Sequence, residues 1–401
     1  MLSSREAVHI IEENSALLPI EEVSLQDAVG RVLRCPVEAD RDLPPFNRVM
    51  MDGIAISCQA WIAGIREFGI NGVQGAGMDP LRLKNKNDCI EIMTGAVMAE
   101  DCDCVVPYED VEIENGRASV KEHFTPRPNL NIHQQGSDFI KGDCLIDSGV
   151  RLTSREIAVS ASCGKASLLV TREPRLIIVS TGDELVEVDE EVQPFQIRRS
   201  NNYALEAALQ GLGFHHIENL HIRDDPELIE KTLAAILRRA DIILLSGGIS
   251  KGKFDYIPTV LEKLGVRKHF HGVRQRPGKP FWYGQGESGQ RIFALPGNPL
   301  STLICFHRYV VPALQRMLGM DQPKEIWAVL AKSFLVRAPL TFFLPVRIES
   351  EENGILRAQP HPAKNSGDFA SIIPTDGFVE LPEEQGTQFS EGSSTQFFSW
   401  S

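Results

Sequence analysis

Four stretches of this sequence set small, polar and charged residues directly after runs of aliphatic ones. They read Ser180-Thr181-Gly182-Asp183-Glu184, Arg223-Asp224-Asp225, Ser246-Gly247-Gly248-Ile249-Ser250 and Leu295-Pro296-Gly297-Asn298-Pro299. Glycine lets a backbone approach a ligand closely, and hydroxyls beside free N–H groups suit a phosphate without a Walker lysine. A fifth stretch, Arg276-Pro277-Gly278-Lys279-Pro280 with Arg274 just before it, fixes positive charge around a rigid turn and suits an anion. Glu184, Asp224 and Asp255 offer hard oxygens that together suit a divalent cation, whereas each alone reads as a helix cap or a surface ion pair. The Ser-Gly-Gly stretch alone reads equally as a ligand loop or a tight strand exit, and the basic turn has a plain reading as solvated surface. Neither GxxxxGK[ST] nor a strand followed by GxGxxG is present, which argues against a P-loop and against dinucleotide binding.

The elements that must carry these stretches alternate between strand and helix. PRLIIVSTGDEL reads as a buried strand opening into a loop, followed by the helical SNNYALEAALQGLGF with Ser200 or Asn201 as cap. HIENLHIRDD reads as a strand, PELIEKTLAAILRRA as a helix with Pro226 in its first turn, and DIILLSGGIS as another buried strand. DYIPTVLEKLG (helix), VRKHFHGVRQRPGKPFWYG (strand and loop), RIFALPGNP (strand and loop) and STLICFHRYVVPALQRMLG (helix) complete the series. This alternation predicts a parallel sheet with right-handed crossovers, and ligands bind such sheets beyond the carboxyl ends of their strands.

On either side the texture differs. A helix through about Ala16 and a second short one over SLQDAVGRVL open the chain, followed by the turn-rich RDLPPFNRVMMDGIAIS. Short β-like segments then run to about Val150, and Asn115-Gly116 supplies the positive φ of a type I′ hairpin turn. SREIAVSASCG returns to helix with Ser154 as the expected N-cap. Beyond Asp321 short strands dominate again. The expected architecture is an elongated multidomain α/β plus β chain: residues 1–45 with 139–173 as an N-terminal helical or linker unit, 46–138 as an inserted β-rich unit, 174–320 as the α/β unit, and 321–401 as a β-barrel-like unit.

A net charge of −13 over 401 residues argues against nucleic acid as partner, although a local basic cluster can still hold a small anion. No apolar run reaches the roughly 18 residues of a membrane span, and the amphipathic start does not read as a secretory signal. Eight scattered cysteines without a CxxC pair, Cys102 and Cys104 included, read as buried free thiols of a reducing cytoplasm rather than zinc ligands.

STGDEL, SGGIS followed by FDY, RPGKP and LPGNP, in this order, resemble the MoaB/MogA-type molybdopterin-binding domain. LPPFNRVMMDGIA resembles the LPPFxxSxMDGYA pattern of MoeA proteins and of the gephyrin E domain. IMTGAVMAEDCDCVVPYED is similar to their IxTGAxxPxGxDxVVxxE stretch, and GSDFIKGD to their GxDxxxGD. The resemblance spans nearly the whole chain. It implies a molybdopterin molybdenumtransferase that takes adenylylated molybdopterin and molybdate, releases AMP with the help of Mg²⁺, and works as a homodimer. The family's active site lies between the pterin-binding unit of one subunit and the MDG and TGA elements of its partner. Contact with a molybdopterin adenylyltransferase is implied as well.

Carried over by position, the resemblance assigns Asp52, Thr94, Asp138, Glu184, Asp224 and Asp255 to the reaction, with the last three also holding metal. It assigns Ser180, Thr181, Gly182, Asp183, Ser246, Gly247, Gly248, Ser250, Arg274, Arg276, Lys279, Pro296, Gly297, Asn298, Arg347 and Ser366 to substrate. From sequence physics alone Asp52 reads as a turn former before Gly53. Asn47-Arg48-Val49 departs from the usual Asp-Asn-Ser, Ile54 from Tyr, and Gly272 stands at a frequently basic position, with Arg274 as its expected compensation. Pro345 stands where an arginine is expected, and Arg347, two residues on along the same strand face, is the expected substitute. Two other readings are a non-catalytic pterin-binding paralogue or scaffold, and a nucleotide-pyrophosphate hydrolase resembling the CinA type, which has no reason to carry the MDG and TGA blocks.

Overall fold

The computed structural model describes residues 1–249, 256–321, 324–385 and 387–401. Ser250 and Asp255 therefore lie outside the described residues.

Leu176–Thr181 and Ile242–Ser246 are buried along their whole lengths, as the unbroken aliphatic runs require of strands covered on both faces. They lie side by side at the middle of a six-stranded sheet. Its order is Ile217–Ile222, Leu176–Thr181, Ile242–Ser246, Arg291–Leu295, Trp282–Gln285, Arg267–His271. The first four strands are mutually parallel; Trp282–Gln285 runs against them, and Arg267–His271 pairs antiparallel with it. The expected all-parallel sheet is thus mixed. Leu295 leads into a helix, but Trp282–Gln285 reaches Arg291–Leu295 through a short turn, which permits only a hairpin.

Two apolar layers cover the two faces. One gathers Ile178, Leu205, Leu209, Leu244, Phe293 and Phe306, and the other Ile177, Val179, Leu233, Ile243 and Leu261. The helix Ser4–Glu13 packs into the first layer through Ala7 and Ile11, with a capping box between Ser3 and Glu6 at its start.

Helix starts follow local chemistry. Asp225 caps Pro226–Leu237 by accepting from the Glu227 and Leu228 amides at 2.9 and 3.1 Å. Ser154–Ser162 is capped by Thr153, not Ser154, because Thr153 sits three residues before the Glu156 carboxylate that completes the box. Ser200–Gly211 is preceded by Arg199, so neither Ser200 nor Asn201 is its cap. The expected helix over SLQDAVGRVL is a run of turns. The Ser24 hydroxyl donates to the Asp27 carboxylate at 2.7 Å and accepts from the Asp27 amide at 3.2 Å, a local bond that competes with helical ones.

The segments flanking the β-rich insertion pair with each other: Ile20–Ser24 with Ser167–Thr171, and Val37–Glu38 with Cys144–Ile146. The insertion holds a six-stranded sheet ordered Cys104–Pro107, Gly53–Ile56, Asp88–Ile92, Glu67–Gln74, Arg117–Val120, Val111–Glu114. Asn115 (φ 50°) and Gly116 (φ 76°) make the turn of its outer hairpin. Apolar layers around Ile56, Phe68 and Val106 and around Ile90, Ile92 and Val105 cover its two faces, so this unit has a core of its own.

At the C-terminus Thr341–Ser350, Leu356–Pro360, Ile326–Leu330, Ser394–Ser399 and Gly377–Leu381 pair in a ring, and closure removes their free edges. Gln275–Arg276, a short strand reaching out from the α/β unit, pairs with Thr341–Phe342 on its rim. Leu300 and Ile304 pack with Phe343, Ile372 and Phe378 between the two units.

Candidate functional site

In the central sheet the chain leaves Leu176–Thr181 toward one side to form Ile217–Ile222, and later returns on the other side as Ile242–Ser246. The carboxyl ends of the two adjacent central strands flank this switch point, where an open α/β sheet leaves a crevice. A cleft of about 1070 Å³ opens there, closed on its far side by the barrel residues Phe342, Pro345 and Lys364 to Gly367. A larger groove of about 1630 Å³ runs between the first helix, the helices following residue 299 and the barrel, but none of the glycine-bearing strand tips reaches it.

The strand tips build the floor. Ser180 accepts from the buried Arg199 Nε at 3.0 Å and lies 3.3 Å from His221 Nδ1, which burial biases toward the neutral form. Ser246 accepts from the Asn201 amide at 2.8 Å, and the same amide donates to the Gly297 carbonyl at 2.8 Å, tying two loops together. Gly247 and Gly248 have φ of 96° and 65°. A Cβ on Gly247 would stand 2.8 Å from the Thr181 carbonyl oxygen, and one on Gly248 2.7 Å from Thr181 Oγ1, so only glycine fits. Thr181 Oγ1 itself is buried without a hydrogen-bond partner among the described residues, an unmet polar group on the cleft wall.

Charge concentrates in the walls. Arg198, Arg199, Arg276, Lys279 and Lys364 line the cleft against Glu184 and Asp224, so it is cationic within a chain of net charge −13. Arg276 and Lys279 are exposed and make no ion pair among the described residues. Beneath them the buried Gln275 amide donates to the Pro277 and Gly278 carbonyls at 3.2 and 3.3 Å and anchors the turn.

The sequence-derived residues divide accordingly. Ser180, Thr181, Gly182, Glu184, Asp224, Ser246, Gly247, Gly248, Arg276, Lys279, Pro296, Gly297, Asn298 and Ser366 all line the cleft. Asp183 turns away and accepts from the Asp224 amide at 3.3 Å. Arg274 is not in the cleft, because Glu383 at 3.1 Å and the Met1 carbonyl at 2.7 Å hold its guanidinium. Arg347 is not there either: Pro345 lines the wall, and two residues further the strand has advanced about 6.7 Å beyond the rim. Arg198, Arg199, Asn201 and Lys364 are cleft residues that sequence reasoning did not assign. The Arg-Arg pair just before a helix was the signal available for two of them.

Asp52, Thr94 and Asp138 do not line this cleft within the chain; all three are exposed on the β-rich unit. Asp52 Oδ1 accepts from the Thr94 amide at 2.7 Å, and this bond holds its carboxyl below the ordinary aspartate range. Asp138 Oδ1 lies 2.8 Å from His133 Nε2.

Among the described residues no group of three or more His, Cys, Asp or Glu side chains could hold a metal. Glu184 and Asp224 are the two carboxylates on the cleft wall, and Mg²⁺ commonly takes one or two carboxylates with the rest of its shell from substrate oxygens and water. In kind, two hard-oxygen donors on one cleft match that donor set. Six of the cysteines are buried or half-buried, but Cys35 and Cys144 are exposed, which corrects the expectation of buried thiols throughout.

An α/β unit with glycine tips at its switch point, a cationic cleft and a barrel as lid defines a protein built to hold a small anionic ligand. Sequence models match over three consecutive regions: MoeA N-terminal region (domain I and II) at residues 2–164, a probable molybdopterin binding domain at 177–316, and MoeA C-terminal region (domain IV) at 328–400. The chain belongs to the MoeA family. It is 38% identical over 401 residues to a molybdopterin molybdenumtransferase from Synechocystis, covering 100% of both chains. It is 32% identical to the Bacillus subtilis protein of the same name, over 90% of this chain and 86% of that one. The crystal structure of a molybdopterin biosynthesis MoeA protein from Pyrococcus horikoshii superposes with a TM-score of 0.83 at 31% identity, covering 100% of this chain and 99% of that one.

Proposed function

We propose that this chain inserts molybdenum from molybdate into adenylylated molybdopterin and releases AMP. The observation that carries the reading is the cationic cleft at the sheet's switch point, where Arg276 and Lys279 are free to meet the phosphoanhydride and the Ser-Gly-Gly loop approaches with bare backbone. Thr181 Oγ1, buried and without a partner among the described residues, is a spare hydroxyl on the wall of the cleft. Water attacks the adenylyl phosphorus as the P–O bond to the pterin phosphate breaks, so AMP departs and the pterin keeps its phosphate. The two dithiolene thiols then replace one oxo ligand of molybdate, which leaves with their protons as water. Glu184 and Asp224 would hold Mg²⁺, which when bound neutralises charge developing on the phosphates. Substrate oxygens, water and Asp255 are the further ligands proposed for it.

Asp52, Thr94 and Asp138 belong to the same reading through a symmetric homodimer, in which the β-rich unit of one subunit faces the cleft of the other. A single chain does not bring these three residues to its own cleft, and the MDG and TGA segments already meet through the Asp52–Thr94 bond. A cytoplasmic site of action and contact with a molybdopterin adenylyltransferase complete the proposal. Among the described residues no helix is long and apolar enough to cross a membrane.

The test is reconstitution of purified protein with adenylylated molybdopterin, Mg²⁺ and molybdate. Molybdate-dependent AMP release is the expected result. Tight binding of the adenylylated pterin without AMP release would overturn it and mark a pterin-binding scaffold.

A further inference from the structure

Arg48 and His133 face each other across the antiparallel pair formed by Arg48–Val49 and Ile132–His133. Arg48 Nη2 lies 3.1 Å from His133 Nδ1, and His133 Nε2 lies 2.8 Å from Asp138 Oδ1. A guanidinium has only donors and an ionised carboxylate only acceptors. Nδ1 must then carry the lone pair and Nε2 the hydrogen, so the row runs one way: Arg48 donates to His133, and His133 donates to Asp138. The other tautomer would set an N–H against the guanidinium and a lone pair against the carboxylate.

The row ends in a side chain that is pinned on one side only. The Asp138 amide donates to the Leu43 carbonyl at 3.0 Å, and Oδ1 is taken by His133. Oδ2 has no hydrogen-bond partner among the described residues, and the Asp138 side chain is 49% exposed against 26% for His133. The imidazole is thus the more sheltered middle of the row, and the free oxygen faces outward. Arg48 belongs to the Asn47-Arg48-Val49 segment that leads into the Met51-Asp52-Gly53 turn.

We propose that Arg48 is a positioning residue for Asp138, acting through His133 by fixing the Nε2–H tautomer. The proposal rests on the reading of Asp138 as a residue of the molybdenum-transfer site. Without Arg48 the Asp138 carboxylate alone favours Nε2–H, so the share of molecules carrying hydrogen on Nδ1 rises, and these turn the carboxylate away from its position.

The experiment uses the full-length protein with ¹⁵N-labelled histidine. Long-range ¹H–¹⁵N spectra report the tautomer of His133, and loss of its signal in His133→Asn identifies it. The Nε2–H form alone is expected in the parent and in Arg48→Lys, which keeps a donor, and a mixture of both tautomers in Arg48→Ala. In molybdate-dependent AMP release, Arg48→Ala should lower kcat about tenfold with KM changed less than about twofold. Arg48→Lys should recover most of the loss, and Arg48→Ala combined with Asp138→Asn should be no slower than Asp138→Asn alone. An unchanged tautomer in Arg48→Ala overturns the proposal, as does a changed tautomer with unaltered kcat. Full turnover in Asp138→Asn instead overturns the underlying reading of Asp138, and does so whatever the tautomer signal shows.

Discussion

The side-chain amide of Asn298 donates to the Ser366 hydroxyl at 2.8 Å, joining a strand tip of the central sheet to a loop of the C-terminal barrel. Both residues line the cleft, so the bond spans it from floor to lid. Ser366→Ala should release the lid loop at small cost to stability, about 1 kcal/mol or less for one exposed neutral hydrogen bond. The expected kinetic effect is a severalfold rise in KM for the adenylylated pterin with kcat nearly preserved. A mutant with unchanged KM would show that the contact plays no part in binding.

Lys279 and Arg276 stand in the wall without a carboxylate partner among the described residues. A direct charge-assisted bond to phosphate contributes about 1.5–3 kcal/mol, so Lys279→Ala and Arg276→Ala should each weaken substrate binding roughly 10- to 100-fold. Titration calorimetry at two salt concentrations checks both the loss and its cause. The parent affinity should fall with salt more steeply than that of either mutant.

Gly248→Ala places a methyl group 2.7 Å from Thr181 Oγ1 and 2.9 Å from Ile257 Cγ1 at a φ of 65°. Strain of this kind costs about 1–3 kcal/mol. Urea unfolding should report that loss, and affinity for the pterin should fall with it because the Ser-Gly-Gly loop must shift. Parent-like stability would mean that the loop adjusts freely.

The Thr94 amide holds the exposed Asp52 carboxyl below its ordinary pKa. A carboxylate depressed in the folded state adds stability above its unfolded pKa, near 4, and loses it as pH falls through the folded value. Unfolding curves of the parent and Asp52→Asn should therefore differ above about pH 4 and converge under stronger acid. Asp52→Ala should also abolish molybdate-dependent AMP release with the fold intact. Unaltered turnover would remove Asp52 from the mechanism.

His307 is buried edge-on against Phe306 and Trp400, and burial lowers its pKa to about 4. Here the unfolded chain takes up the proton first, so stability is full above the free histidine value of about 6.5 and declines as pH falls toward 4. The loss amounts to about 3 kcal/mol at the acid end. His307→Phe should flatten that part of the pH profile. An equally steep profile in the mutant would assign the acid lability to another group.

The central strands and their tips were legible because a strand buried on both faces must be continuously apolar, and its end is marked where small polar residues begin. The Ser-Gly-Gly stretch followed from that pattern, and Lys279 from the separate basic turn Arg276–Pro280. Arg199 did not, because helix-start signals pointed to Ser200 and Asn201, while the arginine just before them reaches back to Ser180. Arg274 and Arg347 carry the right charge at nearly the right positions. Their direction is set by tertiary contacts, Glu383 for one and the strand's exit from the rim for the other, which no local pattern encodes. Likewise the antiparallel edge of the sheet depends on one short turn, and the periodicity of the strands it joins is silent on direction.

The pairing of Gln275–Arg276 with Thr341–Phe342 carries a consequence for any shortened form of the protein. A chain ending near Gly319 would strip these two residues of their neighbour and bare Leu300 and Ile304 to water. Arg276 would then swing at the end of an unsupported ribbon. Removing what looks like a peripheral module thus amounts to disarming the anion grip from behind.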